Sequence, residues 1–284
     1  MVKDMNSFTE MWNEFVKQFI TLRGYENVLK GLWATLQIAV IGLLIGIVIG
    51  TIIAVVRVMP KYKLLPRILD KICVCYIELF RGTPMVVQLL IGYWVLLPAL
   101  GITVDSGVPV AVIVFGLNSG AYVSEIMRGG IQSVDPGQME AGRALGLTYA
   151  TTMLKVVVPQ AIKNILPTLG NEFISLIKET SVVSFIAVTD LYKSFKQLGD
   201  PTYDYTMPYL MLAATYLIMV LLISWGVRVL EAIMKKSERK NGKTVNIVSK
   251  KSDQGIWRQQ SPQGRGFGCL RGRRGGYHRP LRLR

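Results

Sequence analysis

The sequence predicts an all-α integral membrane protein with about five transmembrane helices. Three observations lead to this fold class. Hydrophobic residues make up 51% of the 284 residues, and the mean hydropathy is +0.37. Several apolar runs are long enough to cross a hydrocarbon core of roughly 30 Å. The chain also lacks a long polar segment that could fold into a separate soluble domain.

The first elements also indicate an orientation. Residues 1–27 are polar and aromatic, and we expect them to lie along the outer membrane surface. A first span is predicted from about residue 31 to residue 56, and the basic loop after it, residues 57–71, is cytoplasmic by the positive-inside rule. This predicts an outside N-terminus. Within the span, a stripe of small residues favours close helix packing, although glycine is common in membrane helices anyway: Gly42, Gly46 and Gly50.

The second predicted span, residues 72–100, contains a break at Gly82-Thr83-Pro84. Such a break frees backbone groups, which must then face protein or a cavity, so we expect it to face a lumen. The third, fourth and fifth spans are predicted at about residues 109–127, 165–188 and 207–230. Five spans and an outside N-terminus predict a cytoplasmic C-terminus.

A stretch from residue 139 to residue 181 carries the most specific pattern. It resembles the coupling motif of bacterial ABC importer permeases, which reads Glu-Ala-Ala, three residues, Gly, nine residues, Ile-x-Leu-Pro. The departures are Gly142 in place of the second alanine and valines in place of the two aliphatic residues. The continuation LGNEFISLIKETS is similar to the glutamine, arginine and histidine permeases, and the resemblance covers about residues 25–235. The matching positions are Glu140, Ala141, Gly142, Gly146, Val156, Val158 and Pro159.

This resemblance implies a type-1 ABC importer permease fold with cytoplasmic coupling helices between spans 3 and 4. Asp135 can cap a first helix that ends at Gly146, and a second helix, residues 149–158, is expected to follow at an angle. Two such helices can dock in a groove of another protein. The resemblance implies that this other protein is the ATP-hydrolysing subunit, and it assigns Glu140 and Gly146 to the contact between the two proteins. The alternative is an ordinary amphipathic connector.

Charged residues occur inside the predicted fourth span. Glu172, Lys178 and Glu179 each cost roughly 2.5–3.5 kcal/mol on insertion scales, so each should have a partner or face water. A zwitterionic amino acid complements one acid and one base, and the resemblance places substrate contacts at these three positions. An ion pair that fastens a dimer is the alternative. Four weaker candidates for the same lumen are Asn118, Gln88, Glu78 and Arg81.

The resemblance also implies the partners of the chain. These are a second permease chain, two ATP-binding subunits that hold ATP and Mg, and an extracytoplasmic amino-acid-binding protein, all at the bacterial cytoplasmic (inner) membrane. The chain itself is predicted to be no enzyme, to contact membrane lipid, and to hold no cofactor or metal. A secondary amino-acid transporter or channel that needs no ATPase is the alternative, but no inverted repeat supports it.

The net charge of +15 does not predict a nucleic-acid partner, because residues 235–284 carry 15 Lys and Arg against two acids. The predicted organisation is therefore an N-terminal segment 1–27, a transmembrane domain 28–234, and a basic, disordered tail 235–284.

The last part of this tail, about residues 250–284, also has an unusual coding property. Read one base later, Ile256 to Arg284 can encode FGDNKVLKDVDLDVYEG, one undetermined residue and VVVIIGPSGSG. This string resembles the start of an ABC ATPase that leads into its phosphate-binding loop. A glycine codon GGT followed by a lysine codon AAA would place a stop directly after Arg284. We therefore predict out-of-frame ATPase coding sequence, with a lipid-binding basic arm as the alternative.

Overall fold

The computed structural model describes the backbone of residues 2–256 and the side chains of residues 8–234. The chain divides into two compact units, Met1–Met234 and Lys235–Arg284. Backbone beyond residue 234 is helical to residue 256, so the start of the predicted tail is helical. The greater part of the ATPase-like string, residues 257–284, lies outside the described residues, and its disorder stays a prediction.

Over residues 2–256 the regular structure is helical throughout. Three π-helical turns, Lys17–Thr21, Ile91–Leu96 and Met153–Val157, and one 3-10 segment, Thr180–Ile186, connect or extend the α-helices. The α-helices are α1 Val2–Val16, α2 Gly24–Val58, α3 Leu64–Gly82, α4 Met85–Leu90, α5 Leu97–Ala99, α6 Val108–Gln132, α7 Pro136–Ala144, α8 Tyr149–Thr152, α9 Val158–Glu179, α10 Leu191–Gly199 and α11 Thr206–Ile256.

Three helices of the described part are long and apolar enough to cross a membrane: α2, α6, and α11 from Thr206 to Met234. A fourth span results if the bent pair Leu64–Gly82 and Met85–Ala99 is counted as one. Helix α9 does not reach this apolar character, because its 22 residues include several amide side chains and four charged ones: Lys163, Glu172, Lys178 and Glu179. The count of five spans therefore stays a prediction.

The second span differs from its predicted form in two ways. It begins at Leu64 rather than near residue 72, because the basic segment before residue 72 is already helical, with Pro66 in the first turn where it displaces no hydrogen bond. Its two halves meet at 104°. The bend falls at the expected break, where Thr83 and Pro84 have extended backbone angles.

Helices α2 and α6 form the most extensive helix pair of the fold, and the glycine stripe is its contact surface. A Cβ atom at Gly46 would lie 2.6 Å from the Ser119 hydroxyl oxygen. In the opposite direction, a Cβ atom at Gly116 of α6 would lie 2.6 Å from Cγ2 of Ile45. The predicted packing role of the stripe is confirmed, because small residues let the two backbones approach.

The main apolar core lies beside this pair. It contains Ile38 of α2, Leu89 of α4, Phe115 of α6 and Ile177 of α9, all of them fully buried. The core therefore connects the broken helix to α9, the two elements that carry the predicted lumen residues.

Helix α10 begins at a buried cap. The Asp190 carboxylate accepts hydrogen bonds from the backbone N–H groups of Tyr192 and Lys193, at 3.1 and 3.0 Å. Burial raises the pKa of Asp190 to about 6, above its ordinary value of 3.8. Because this folded-state pKa is raised, protonation of Asp190 stabilises the fold at acidic pH, and that contribution is lost as the pH rises through about 6.

Candidate functional site

The first predicted coupling helix corresponds to α7, which begins where the sequence indicates. The Asp135 carboxylate accepts a hydrogen bond from the backbone N–H of Gly137 at 2.8 Å, and Pro136 occupies the first helical position. Both features are typical of a helix N-terminus, where unpaired N–H groups need an acceptor and proline costs nothing.

The same helix ends in a Schellman motif. The N–H of Gly146 donates to the carbonyl of Arg143 at 2.9 Å, and the N–H of Leu147 donates to the carbonyl of Gly142 at 3.0 Å. This geometry requires a left-handed residue, and Gly146 has a φ of +77°. No atom lies within 4 Å of a Cβ atom built on Gly146. Glycine is therefore required there by the backbone angle and not by lack of space.

Gly142, the departure from the family pattern, has a structural reason. It is the buried residue of α7, and a Cβ atom there would lie 2.4 Å from Cγ2 of Thr152 in α8. Thr152 is fully buried and its hydroxyl donates to the carbonyl of Thr148 at 3.1 Å. The threonine thus fills the space that an alanine methyl would need. Thr152 was not predicted from the sequence, and the glycine at position 142 was the signal for it.

The second coupling helix differs from the prediction. Only Tyr149–Thr152 is a separate α-helix, and the π-helical turn Met153–Val157 then runs directly into α9. A short helix that ends at Val158 is therefore not observed. Val157 is buried, whereas Val156 and Val158 are half-buried and Pro159 is exposed in the first turn of α9. Val157, which the motif does not include, is therefore the most buried of the three consecutive valines.

We call the region formed by α7, the turn at Gly146 and α8 the joint. An apolar cluster beneath it joins α6 to α9 and includes Val134, Val157 and Ile165. On its outer side Glu140 and Ala141 are exposed. Two large apolar side chains, Leu145 at 81% and Leu154 at 67%, are exposed beside them. The joint is thus fixed from below and offers apolar and charged groups to a partner.

The broken helix is supported by two of the predicted lumen residues. The amide nitrogen of Gln88 donates to the carbonyl of Phe80 at 2.8 Å and to the Thr83 hydroxyl at 2.8 Å. The Asn118 amide nitrogen donates to the same Phe80 carbonyl at 3.2 Å and to the Gln88 side-chain oxygen at 2.9 Å. These side chains satisfy backbone groups that the break leaves free, which is the condition for a break at membrane depth.

A cavity of about 350 Å³ lies beside the break. The Arg81 guanidinium stacks over the Tyr122 ring, 5.1 Å from its centroid. Glu172 does not line the cavity; its carboxylate accepts a hydrogen bond from the hydroxyl of Ser119, the neighbour of Asn118, at 3.3 Å. It also interacts electrostatically with Glu179 and Arg81. The residues that line the cavity are Arg81, Gly82, Thr83, Pro84, Met85, Asn118, Tyr122 and Glu179.

The structure does not bring all the predicted lumen residues together. Four of the predicted residues do not line this cavity: Lys178, Glu78, Glu172 and Gln88. The basic residue that lines this cavity together with Glu179 is Arg81 of α3, and not Lys178. Two contributors, Ser119 and Tyr122, were not among the predicted site residues. The sequence did contain a signal for them: they follow Asn118 by one and four residues on a polar stretch of α6, and a residue four positions on lies on the same face of a helix.

Residues 42–236 match the family described as "Binding-protein-dependent transport system inner membrane component". The chain belongs to this family. It is a non-catalytic permease subunit, and a partner ATPase carries out ATP hydrolysis.

Two characterised relatives come from Bacillus subtilis (strain 168). The chain is 37% identical to "Arginine transport system permease protein ArtQ" over 211 residues, which cover 74% of this chain and 94% of the relative. It is 38% identical to "L-cystine transport system permease protein TcyB" over 202 residues, which cover 71% and 83%.

Solved structures agree with this family and with the predicted fold class. A structure titled "Crystal structure of an amino acid ABC transporter with histidines" is 39% identical, with a TM-score of 0.68, and the match covers 75% of this chain and 96% of that one. An inward-facing MetNI methionine ABC transporter is 19% identical, with a TM-score of 0.61 and coverage of 73% and 95%. The second match supports the fold alone.

Proposed function

We propose that the chain is the transmembrane permease subunit of an ATP-binding-cassette importer that moves polar or charged L-amino acids into the cytoplasm by alternating access. The observation that carries the proposal is the cavity beside the helix break, which has both Arg81 and Glu179 among its lining residues. The printed names of the relatives, for arginine, cystine and an amino-acid transporter, agree with this substrate class. A secondary transporter or channel is not favoured, because the family works with a binding protein.

The cavity has the chemistry for a zwitterion. Arg81 can pair with the substrate carboxylate, and Glu179 can pair with the α-ammonium group or with a basic side chain. A volume of about 350 Å³ falls within the range of small-molecule sites. The charged residues of the lining are one base and one acid, Arg81 and Glu179, which match the two charges of a zwitterionic amino acid.

The partners follow from the surfaces of the chain. We propose that two ATP-binding subunits, which carry ATP and Mg, dock on the joints of two permease chains. An extracytoplasmic amino-acid-binding protein then delivers the substrate on the opposite face. The excess of basic residues in the segment 57–71 supports a cytoplasmic position for that segment, with the N-terminus outside and the C-terminus inside the bacterial inner membrane. The exposed Leu145 and Leu154 support docking at the joint.

Replacing Glu179 with glutamine should weaken the response to arginine about tenfold to a hundredfold and the response to glutamine much less. The change keeps the size of the side chain and removes a charge, and charge-assisted hydrogen bonds contribute roughly 1.5–3 kcal/mol. Substrate-stimulated ATPase activity of the reconstituted complex, measured with its binding protein loaded with each amino acid, gives the two responses.

Glu26→Gln is the matched control, because it makes the same change at an exposed residue of α2, outside the cavity wall. It should change neither response by more than about twofold, less than the loss of one weak hydrogen bond. An equal effect of Glu179→Gln on both amino acids would argue that Glu179 has a structural role only.

We further propose that the tail from about residue 250 is coding sequence of a neighbouring ATPase gene, read out of frame. The length of the ATPase-like string supports this. The middle base of every codon in the shifted frame is constrained by the permease frame, so a match over the whole string is not expected by chance. A permease that lacks residues 250–284 should insert and transport at the level of the full chain, as measured by uptake into vesicles. Loss of uptake by a correctly inserted truncation would contradict the proposal. So would a DNA sequence whose shifted frame lacks the string.

A further inference from the structure

Five charged side chains meet where α2, α3 and α6 approach the joint. Arg57 forms an ion pair with Glu125, whose other carboxylate oxygen lies 2.5 Å from the Arg128 guanidinium. On the other side of Arg57, the Asp70 carboxylate lies 2.5 Å from the Lys61 ammonium group and 3.8 Å from the Arg57 Nε. We call these residues the ionic cluster: Arg57, Lys61, Asp70, Glu125 and Arg128.

The three central side chains are largely withdrawn from solvent. Arg57, Asp70 and Glu125 are 18%, 17% and 20% exposed. The Arg57 Nε and the Asp70 Oδ1 are buried without a hydrogen bond, since 3.8 Å is too long for one. Charges that are withdrawn from solvent and incompletely paired contribute little to the stability of helix packing, because apolar residues of similar size would stabilise the same contact at least as well. The cluster therefore calls for a role other than packing.

Residues next to the cluster connect it to both ends of the joint. The Arg128 guanidinium donates to the side chain of Gln132 at 2.7 Å, and Gln132 is the last residue of α6 before the turn into α7. From the other side, the hydroxyl of Tyr149, the first residue of α8, donates to the carbonyl of Val58 at 3.2 Å, next to Arg57. Burial raises the pKa of Tyr149, which keeps this donor protonated. The contacts thus form a closed ring through α2, α6, α7 and α8.

We propose that Glu125 is a positioning residue for energy coupling. Through Arg57 it joins α6, which leads into the joint, to the ends of α2 and α3. A displacement of the joint by the ATPase then moves these ends with it, and the incompletely paired Arg57 and Asp70 can exchange partners as they move. This inference rests on the proposed function, because it concerns how ATP hydrolysis reaches the cavity.

The test compares uptake with ATP consumption in vesicles that contain the whole complex. Glu125→Gln should leave the amount of inserted permease and the basal ATPase rate near wild type, and it should lower the number of substrate molecules moved per ATP by about tenfold. Glu26→Gln is the matched control. It removes the same charge from an exposed pair with Arg23, at 3.5 Å, away from the joint, and should leave the ratio unchanged.

A double variant tests whether Glu125 acts through Arg57. Arg57→Gln combined with Glu125→Gln should lower the ratio by less than the product of the two single effects, because both changes break the same link. If Glu125→Gln does not insert, Glu125→Asp, which keeps the charge but shortens its reach, gives the same comparison. A ratio equal to that of Glu26→Gln would overturn this inference alone. Absence of ATP-dependent uptake by the wild-type complex would instead overturn the proposed function.

Discussion

Replacement of Gly50 by leucine should prevent the permease from accumulating in the membrane. A Cβ atom at this position would lie 2.8 Å from the backbone nitrogen of Ser124 and 2.8 Å from the Cβ of Val123 in α6. A backbone nitrogen cannot move aside as the end of a flexible side chain can, so the helices must separate along their most extensive interface. Overpacking costs typically 1–3 kcal/mol for added methylenes, and a whole leucine at a backbone contact exceeds that range.

The measurement is the amount of folded protein in the membrane fraction and its melting midpoint in detergent. Gly226→Leu in α11 is the matched control, because no atom lies within 4 Å of a Cβ built there. The control should accumulate normally, and Gly50→Ala should fall between the two. Normal accumulation of Gly50→Leu would mean that α2 and α6 do not pack in this register.

Replacement of Gly146 by valine should abolish uptake while the permease still inserts. The reason is the backbone, since the φ of +77° is unfavourable for any residue with a Cβ and most of all for a β-branched one. The left-handed conformation costs roughly 1–2 kcal/mol per residue. A chain that avoids this strain would lose the Schellman hydrogen bonds and change the angle between α7 and α8, so that the joint would no longer fit its partner.

Gly101 provides the matched control, because it has a φ of +67°, has open space around it and lies in the loop after α5, away from the joint. Gly101→Val should suffer a comparable strain and retain uptake. Gly146→Asn should retain part of the activity, because asparagine tolerates the left-handed region. Equal uptake by the two valine variants would show that the turn at Gly146 is not needed for coupling.

Hydropathy located the long apolar helices α2, α6 and α11, but not the ends of the spans. The first span was predicted over residues 31–56, and the helix runs from Gly24 to Val58. The segment before residue 72 was assigned to a loop because of its basic residues, yet α3 already includes it from Leu64. Polar helical turns outside the hydrocarbon core have no hydropathy signal, so only their packing against other elements determines whether they form.

The coupling pattern could be located from spacing, whereas the composition of the cavity could not. Asp135, Pro136 and Gly146 act on their immediate neighbours, and such local effects can be read from one sequence. By contrast, Arg81 reaches the cavity of Glu179 from a different helix. Which of the adjacent Lys178 and Glu179 lines the cavity depends on how α9 is rotated, and the packing of the whole bundle determines that rotation.

The reciprocal contacts of α2 and α6 restrict how the transporter can move. Glycines of each helix receive side chains of the other, so a shift of one residue along the axis would drive Ile45 and Ile49 into the backbone of α6. The two helices are therefore expected to move together, as one unit, when the joint is displaced. Relative motion during transport is then expected in α3–α5, which is already broken at Pro84.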